Sequence, residues 1–553
     1  MKLVLPNIRL PFDHDDESVV EIVSKKLRIP SKDITNIEVD KRSVDARKEP
    51  TIYFVYTFIV SIKGTINENT IRKANASVFK YKAYKFPFEK VELTSRPIIV
   101  GAGPAGLFCG LTLAREGYNP IIIERGEEAS KRYETVREFI RTGELNLNSN
   151  ITFGEGGAGT FSDGKLYTGV KDKFLRKNYI LDTLVACGAE PSILFMAKPH
   201  VGTDYLVKVV ENMRKEIIEL GGEVHFNSFV EDMIIDEASK EIKGIKVAKD
   251  GETITYMSDT IVLATGHSGR EIFENLNDHK VDMEAKAFAI GLRIEHPQAW
   301  IDKSQYGIEH YEDVRLPVSD YKLAHQTQNG RGVYTFCMCP GGFVVNAASE
   351  EGMVVCNGMS LFDRNNFNAN SAIIVTVTPD DFGSEDGTVD PLAGIHFQQK
   401  WERKAYELTH SYALPMQSFG DYYKDVKGEE YINQSLLNDS FYDLDVIDST
   451  CESDIVEAPL KECLPEAVNE AIVEGIISFG KKIRGFDHPK ARLVGVESRT
   501  SSPVKVLRTE TLMSSIKGLY PCGEGAGYAG GIMSAAIDGI KVAEKIVENA
   551  TKL

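Results

Sequence analysis

The chain is poor in cysteine, with eight in 553 residues, too few and too scattered for a disulfide scaffold. Long apolar runs are missing too. The greasiest stretch, Ile52 to Ile62, is strand-sized and interrupted by Thr57 and Ser61, well short of the ~20 residues that span a bilayer. The N-terminus, with Lys2, Pro6, Arg9 and the acidic run from Asp13 to Glu17, lacks the continuous apolar core of a signal peptide. The sequence also lacks internal repeats and low-complexity tracts. Basic residues are outnumbered, 64 against 81, for a net charge of −17, which disfavours indiscriminate binding to nucleic acid or anionic lipid. The remaining composition is that of a globular protein, 42% hydrophobic and 26% charged. The chain is long enough for two to four domains. These features predict a cytoplasmic, multi-domain α/β protein.

The first 85 residues read as a small α/β domain. Val19, Val20, Ile22, Val23 and Leu27 recur at helical spacing behind Asp15, Asp16 and Glu17, acidic residues that suit a helix N-terminus. Ile34 to Val39 and Thr51 to Ile62 read as strands, Ile66 to Ala74 as a helix, and Val78 to Tyr84 as a further strand. Residues 1–92 hold 17 basic and 13 acidic side chains, so this end is basic while the rest is acidic. Its cluster Lys41, Arg42, Arg47 and Lys48 reads as a solvated hairpin face, with phosphate or RNA binding as the alternative. Further on, Leu464 to Phe479 and Ile532 to Val547 carry helical patterns, and Asp380 to Gly394 is a Gly/Asp/Ser-rich break.

The strongest local signal is RPIIVGAGPAGL, residues 96–107. An apolar strand enters Gly101, Ala102, Gly103, Pro104, Ala105 and Gly106, and a helical run follows. Gly101 permits the tight turn, Gly103 lets a pyrophosphate approach the backbone, and Gly106 lets helix and strand pack closely. The next strand, Pro120 to Ile123, ends at Glu124, placed 23 positions after Gly101 with Arg125 beside it. A carboxylate at that point accepts hydrogen bonds from an adenosine ribose. Together these features predict a dinucleotide site.

Two further segments choose the dinucleotide. Thr260 to Gly266 is an apolar strand ending in Ala264, Thr265 and Gly266, followed by His267. Lys517 to Gly525 is a strand ending in Gly523 and Glu524, and it leads through Gly530 and Gly531 into a helix that begins at Ile532. This arrangement resembles the FAD-binding two-dinucleotide-domain flavoproteins. The resemblance implies that the ATG strand passes the FAD, that the late carboxylate holds the ribityl chain, and that the helix after Gly531 faces the flavin. Glu524 stands where that pattern usually has Asp.

The stretches GEGGAGTFSDGKLYTG (154–169), KRSVDARK (41–48), YTFCMCPGG (334–342) and GVESRTSSPVKVLR (495–508) sharpen the likeness. Across essentially its whole length the chain resembles a bacterial family of FAD-dependent dehydrogenases of unassigned reaction. That family is distantly similar to glucose-inhibited division protein A and the succinate dehydrogenase flavoprotein. The resemblance implies a small N-terminal α/β domain (1–85) ahead of one Rossmann-type FAD domain (93–279 with 491–553), and the segment between the ATG strand and the C-terminal strand (280–490) is expected to be an inserted α+β substrate domain. In the glycine run, exposed N–H groups near Gly159, Thr160, Ser162 and Asp163 are expected to meet cofactor, with Lys165 reaching cofactor or substrate.

Only one complete dinucleotide fingerprint is present, and no CxxC lies near it. NADH and NADPH are therefore expected to visit transiently and bind weakly, with the substrate itself as the other source of electrons. In AIGLRIEHPQ (289–298), strand alternation puts Arg293 and Glu295 on one face and His296 on the other. Arg293 is a candidate for an anionic substrate and His296 for proton delivery, against a same-face ion pair and a strand end as the plain alternatives. His200 and His267 are further candidates. Cys337 and Cys339 share a strand face within apolar neighbours, which predicts packed thiols of raised pKa and not a redox pair. The other cysteines form no second close pair, which argues against zinc. Two functions follow: hydride transfer between an organic substrate and non-covalent FAD, or an RNA-directed flavoprotein that docks through residues 1–85.

Overall fold

The computed structural model describes residues 1–48, 51–383, 390–436 and 439–552; part of the Asp380 to Gly394 break lies outside them. The N-terminal unit is a four-stranded antiparallel sheet in the spatial order Ile34–Lys48, Thr51–Ile62, Lys2–Pro11, Ser77–Val78. In Thr51–Ile62 alternate residues from Ile52 to Ile62 are buried, the pattern of a sheet with one covered face. The helix Asp16–Leu27 lies over that face. Asp15 caps it by accepting from the Ser18 amide at 2.8 Å, and Lys25 and Lys26 sit in its last turn. The expected strand from Val78 to Tyr84 shrinks to Ser77–Val78, because the basic run Lys80, Lys82 and Lys85 faces solvent where no sheet partner covers it.

Arg42 is not free on a hairpin face. Its guanidinium lies over Phe54 and Phe195, at 5.3 and 5.7 Å. Its backbone bonds the segment after residue 190: its amide donates to Phe195 O at 2.7 Å, and Ala197 N donates to its carbonyl at 2.9 Å. Arg47 is paired with Asp45 at 2.8 Å.

The nucleotide half is a five-stranded parallel sheet in the order Leu519–Pro521, Ile261–Leu263, Ile98–Val100, Ile121–Ile123, Glu223–His225. Its central strands are wholly apolar because both faces are covered. Ile99, Ile122 and Val262 pack against the helices Pro104–Arg115, Thr203–Glu219 and Ile532–Thr551. Ile98, Val100, Ile261 and Leu263 face an antiparallel meander, Phe229–Asp236, Glu241–Lys249 and Glu252–Met257, with the helix Arg270–Asp278.

The third unit is a seven-stranded sheet: Ala324–Gln326, Gly332–Cys339, Asn368–Val377, Phe288–Pro297, Arg492–Glu497, Leu414–Ser418, Ile455–Glu457. All its pairings are antiparallel except the last. Phe288–Pro297 is buried along its entire length, which decides the fate of the candidate residues it carries. Among the described residues no helix is long and apolar enough to cross a membrane.

Candidate functional site

A cavity of about 610 Å³ runs between the parallel sheet and the seven-stranded sheet. Its floor is the glycine turn. Gly101 adopts φ +102, and a Cβ there would stand 2.5 Å from Ala264 O; a Cβ on Gly106 would stand 1.9 Å from Gly101 O. These two glycines let strand and helix close on one another. Gly103 is different. A Cβ there would meet only Gly157 Cα, at 3.9 Å, and it would project into the cavity. The helix Pro104–Arg115 begins at Gly103 with no side-chain cap, so its first amides and the positive end of its dipole face the cavity. The helix Ile532–Thr551 likewise starts uncapped at Gly531, and Gly531 and Ile532 line the same space.

Glu124 is buried at the end of its strand. It accepts from the amides of Ala102, Gly126 and Gly154 at 2.8, 2.9 and 3.1 Å, which fixes its carboxylate at the cavity wall. Arg125 is stacked between Phe153 and Phe229, at 4.0 and 4.8 Å. The wall carrying Phe153 and Gly154 is held from behind by the fully buried Arg132. Its guanidinium donates to the carbonyls of Asn150, Ile151 and Glu155 at 2.8, 2.9 and 2.7 Å. Burial pushes that guanidinium down to about 10, against the charges of Glu124 and Glu155.

The cavity gathers most of the residues expected at the cofactor: Gly101, Gly103, Pro104, Ala105, Glu124, Arg125, Gly159, Ser162, Asp163, Thr265, Gly266, Glu524, Gly531 and Ile532. Three fall outside its lining. Gly106 serves packing. The Thr160 hydroxyl is turned inward to Glu155 O at 3.2 Å. Gly523 lies beneath, its amide donating to Asp538 at 2.8 Å, with Asp538 clamped by Arg508. Asp163 lines the wall, yet its carboxylate is spent on Lys165 at 2.7 Å, Arg364 at 2.8 Å and Ser360. Burial opposes that charge, but Lys165 and Arg364 hold it well below the usual carboxylate range.

The far chamber holds Lys165, Tyr321, Asn357, Glu497 and Arg499. Of the three expected catalytic residues only Lys165 is there; its ammonium bonds Asp163 and Met338 O. Arg293 is fully buried behind the wall. It grips Glu497 through two bonds at 2.8 and 2.9 Å and Asn370 at 2.6 Å, so it orients Glu497 and does not meet a substrate. Its partner is not Glu295, which accepts from Thr450 and Asn368. His296 is a core histidine: one ring nitrogen bonds Phe486 O at 2.6 Å, the ring packs 4.5 Å from Phe486, and burial pushes it down to about 4. Both assignments fail for one reason: their strand is covered on both faces. His200 is tied to Phe362 O at 2.8 Å, outside the cavity.

His267 does line the cavity. It donates to Arg499 O at 3.1 Å and turns Nδ1 toward Glu524 at 3.6 Å. Burial, then the charges of Arg499 and Arg270, push His267 down to about 3. Burial pushes the Glu524 carboxyl up to about 7, with Lys286 opposing. Sequence reasoning missed Phe153, Phe229, Asn357 and Arg499. Arg499 sits in the quoted stretch 495–508 and was the one with a signal.

Cys337 and Cys339 are not packed side by side in the core. Between Phe336 and Cys339 the strand has three steps where its partner, from Ala372 to Asn370, has two. That bulge breaks alternation. Cys337 takes φ +42 and is exposed, Cys339 is buried, and both line the cavity.

Residues 95–284 match the family described as pyridine nucleotide-disulphide oxidoreductase, and 287–500 match the family described as FAD-dependent protein, C-terminal domain-like. Residues 3–61 match a domain of unknown function. An "Uncharacterized protein" of Clostridium beijerinckii is 45% identical over 560 residues, 99% of each chain. The chain belongs to the FAD-dependent oxidoreductase family. Its cofactor is FAD, and the glycine turn, the two uncapped helix ends and Glu124 fit that group. Among solved structures, flavin-dependent brominase Bmp2 is 12% identical, with a TM-score of 0.37 and coverage of 83% of this chain and 80% of that one. The 3-ketosteroid-delta4-(5alpha)-dehydrogenase of Rhodococcus jostii is 12% identical, with a TM-score of 0.36 and coverage of 83% and 97%.

Proposed function

We propose that this FAD-dependent oxidoreductase moves a hydride between an organic substrate and non-covalently bound FAD, in the cytoplasm. One observation carries the reading: a single cavity joins Glu124 and the Gly103 turn to a polar chamber against the second sheet. Bound FAD supplies the two-electron chemistry. Gly101 to Ala105, Glu124, Gly531 and Ile532 are the residues to hold it. Lys165 spends two N–H groups on Asp163 and Met338 O and keeps one for an anionic or carbonyl oxygen of the substrate. Arg293 positions Glu497 and Asn357 at the chamber wall. The RNA-directed alternative loses Arg42, whose guanidinium lies over Phe54 and Phe195.

The test is anaerobic bleaching of the bound flavin by a panel of organic donors, with NADH and NADPH beside them. One organic donor should bleach fast, and both nicotinamides slowly and without preference. Tight, saturable binding of one nicotinamide with rapid bleaching would assign the chamber to that nucleotide instead.

A further inference from the structure

We propose that Cys337 and Cys339 are a dithiol–disulfide pair that exchanges two electrons with the bound FAD, so that the holoenzyme stores two electron pairs. The inference rests on the FAD-dependent reading above and adds a second redox group to it.

Four observations carry it. First, these are the two cysteines of the eight that line the cavity. The cavity is the one that begins at the Gly103 turn and Glu124, so both thiols share their chamber with the cofactor. Second, the backbone is bent to put them there. The bulge turns Cys337 out of the sheet into the cavity, and its φ of +42 lies in the left-handed region, which glycine adopts freely and a side chain does not. Turn geometry alone gives no reason for a side chain at that position. Third, the two residues are in reach of one another. The Cys339 sulfur folds back to lie 3.2 Å from the Cys337 carbonyl. A fully extended Cys-x-Cys unit spaces its Cα atoms by ~6.6 Å, at the upper limit for a disulfide, and the bulge bends this one. Fourth, a cation stands beside them. The Lys165 ammonium donates to the carbonyl of Met338, the residue that separates the pair.

Desolvation by the surrounding chamber raises both thiols, and in both cases Lys165 is the largest influence in the opposite direction. The resting thiols are therefore protonated and quiet, and Lys165 favours the thiolate that must leave when the disulfide opens. The exchange balances as FADH2 plus disulfide giving FAD plus two thiols. The S–S bond breaks, each sulfur gains one electron and one proton, and the flavin gives up two of each. The organic hydride donor refills the flavin. The partly exposed Cys337 sulfur is the end from which a small disulfide or dithiol in solution can draw or return the pair.

The experiment is a reductive titration of the intact holoenzyme. The protein is oxidised with diamide, freed of reagent, and titrated anaerobically with dithionite while the flavin spectrum is followed. The wild type should take up four electrons per FAD, and Cys337→Ala and Cys339→Ala two each. In parallel, denatured oxidised protein is alkylated with N-ethylmaleimide and weighed. Of the eight cysteines all but Cys337 and Cys339 should be labelled, and all eight after reduction. Full labelling of the oxidised wild type, or uptake of two electrons by a wild type that carries the disulfide, would overturn the proposal. A variant that loses heat stability while wild type and variant both take up two electrons would assign the pair to packing. A preparation without flavin would instead overturn the FAD reading, and it shows before any titration as colourless protein.

Discussion

Gly103→Val separates cofactor binding from folding better than any other change in the glycine turn. At Gly101 or Gly106 a side chain runs into backbone oxygen at 2.5 or 1.9 Å, so a loss of flavin there could follow from a damaged sheet. Gly103 has an ordinary φ of −74 and ψ of −177, both open to valine, and its Cβ would find nothing nearer than 3.9 Å. The expected structural cost is the exchange of glycine for a β-branched residue at a helix N-cap, about 1 kcal/mol. The binding cost is larger. The two methyl groups stand where the free amides of Pro104–Arg115 meet the pyrophosphate, and they displace at least two charge-assisted hydrogen bonds worth roughly 1.5–3 kcal/mol each. A loss of about 3–6 kcal/mol weakens binding by roughly two to four orders of magnitude. The assay is FAD affinity of the stripped protein by fluorescence titration, with thermal unfolding as the control. A folded Gly103→Val protein that binds FAD within threefold of wild type would refute the placement of the pyrophosphate at this turn.

Two predictions concern charge. Glu402 is fully buried between Arg270 and Arg499, bonded to them at 2.8–3.1 Å and to Ser498 at 2.7 Å. Glu402→Gln leaves two guanidinium groups against one neutral amide and should cost about 3–5 kcal/mol in urea unfolding; a change below 1 kcal/mol would mean that Glu350 alone neutralises both. Burial opposes the Glu402 charge but the two arginines hold its carboxyl well below the usual range, so the stability it lends is present above its ordinary value of 4.5 and lost as pH falls through the lowered one. Glu524 is the opposite case. With its carboxyl raised from 4.5 to about 7, the folded FAD-free protein keeps a proton that the unfolded chain gives up, so stability falls as pH rises from 4.5 to 7 and levels off above. Glu524→Gln should flatten that part of the profile of thermal midpoint against pH, and an unchanged slope would place its origin elsewhere.

The parts of the site that could be read from the sequence are those fixed by short-range geometry. Gly101 to Gly106, the strand that follows and Glu124 lie within one strand–turn–helix–strand unit, and the turn dictates each residue in it. Thr265, Gly266 and Ile532 could be read for the same reason, each being the end of one element. Arg293 and His296 could not be placed, because alternation tells faces apart only when one face is open, and Phe288–Pro297 has none. The partner of Arg293 is Glu497, 204 positions away; the nearer Glu295 is the wrong choice although the spacing fits. Cys337 was misplaced because a bulge adds one residue to the count, and nothing in YTFCMCPGG marks where. The small domain was legible in Asp15, Asp16, Glu17 and the alternation of Thr51–Ile62, whereas its first strand, Lys2–Pro11, interrupted by Pro6 and the positive φ of Asn7, was not.

The segment from Phe195 to His200 has two owners. At one end it is bonded to Arg42 of the small domain, through Phe195 and Ala197; at the other, His200 is bridged to Lys165. Two residues, Lys198 and Pro199, separate those attachments, and the proline ring stiffens one of them. A tether that short has almost no slack: three steps of chain reach ~10 Å at full stretch. The small domain therefore works as an anchor post and Lys165 as the far end of a taut line. A shift of the post is passed to the backbone at Lys165, so one wall of the reaction chamber is surveyed from outside the nucleotide fold as well as from within it.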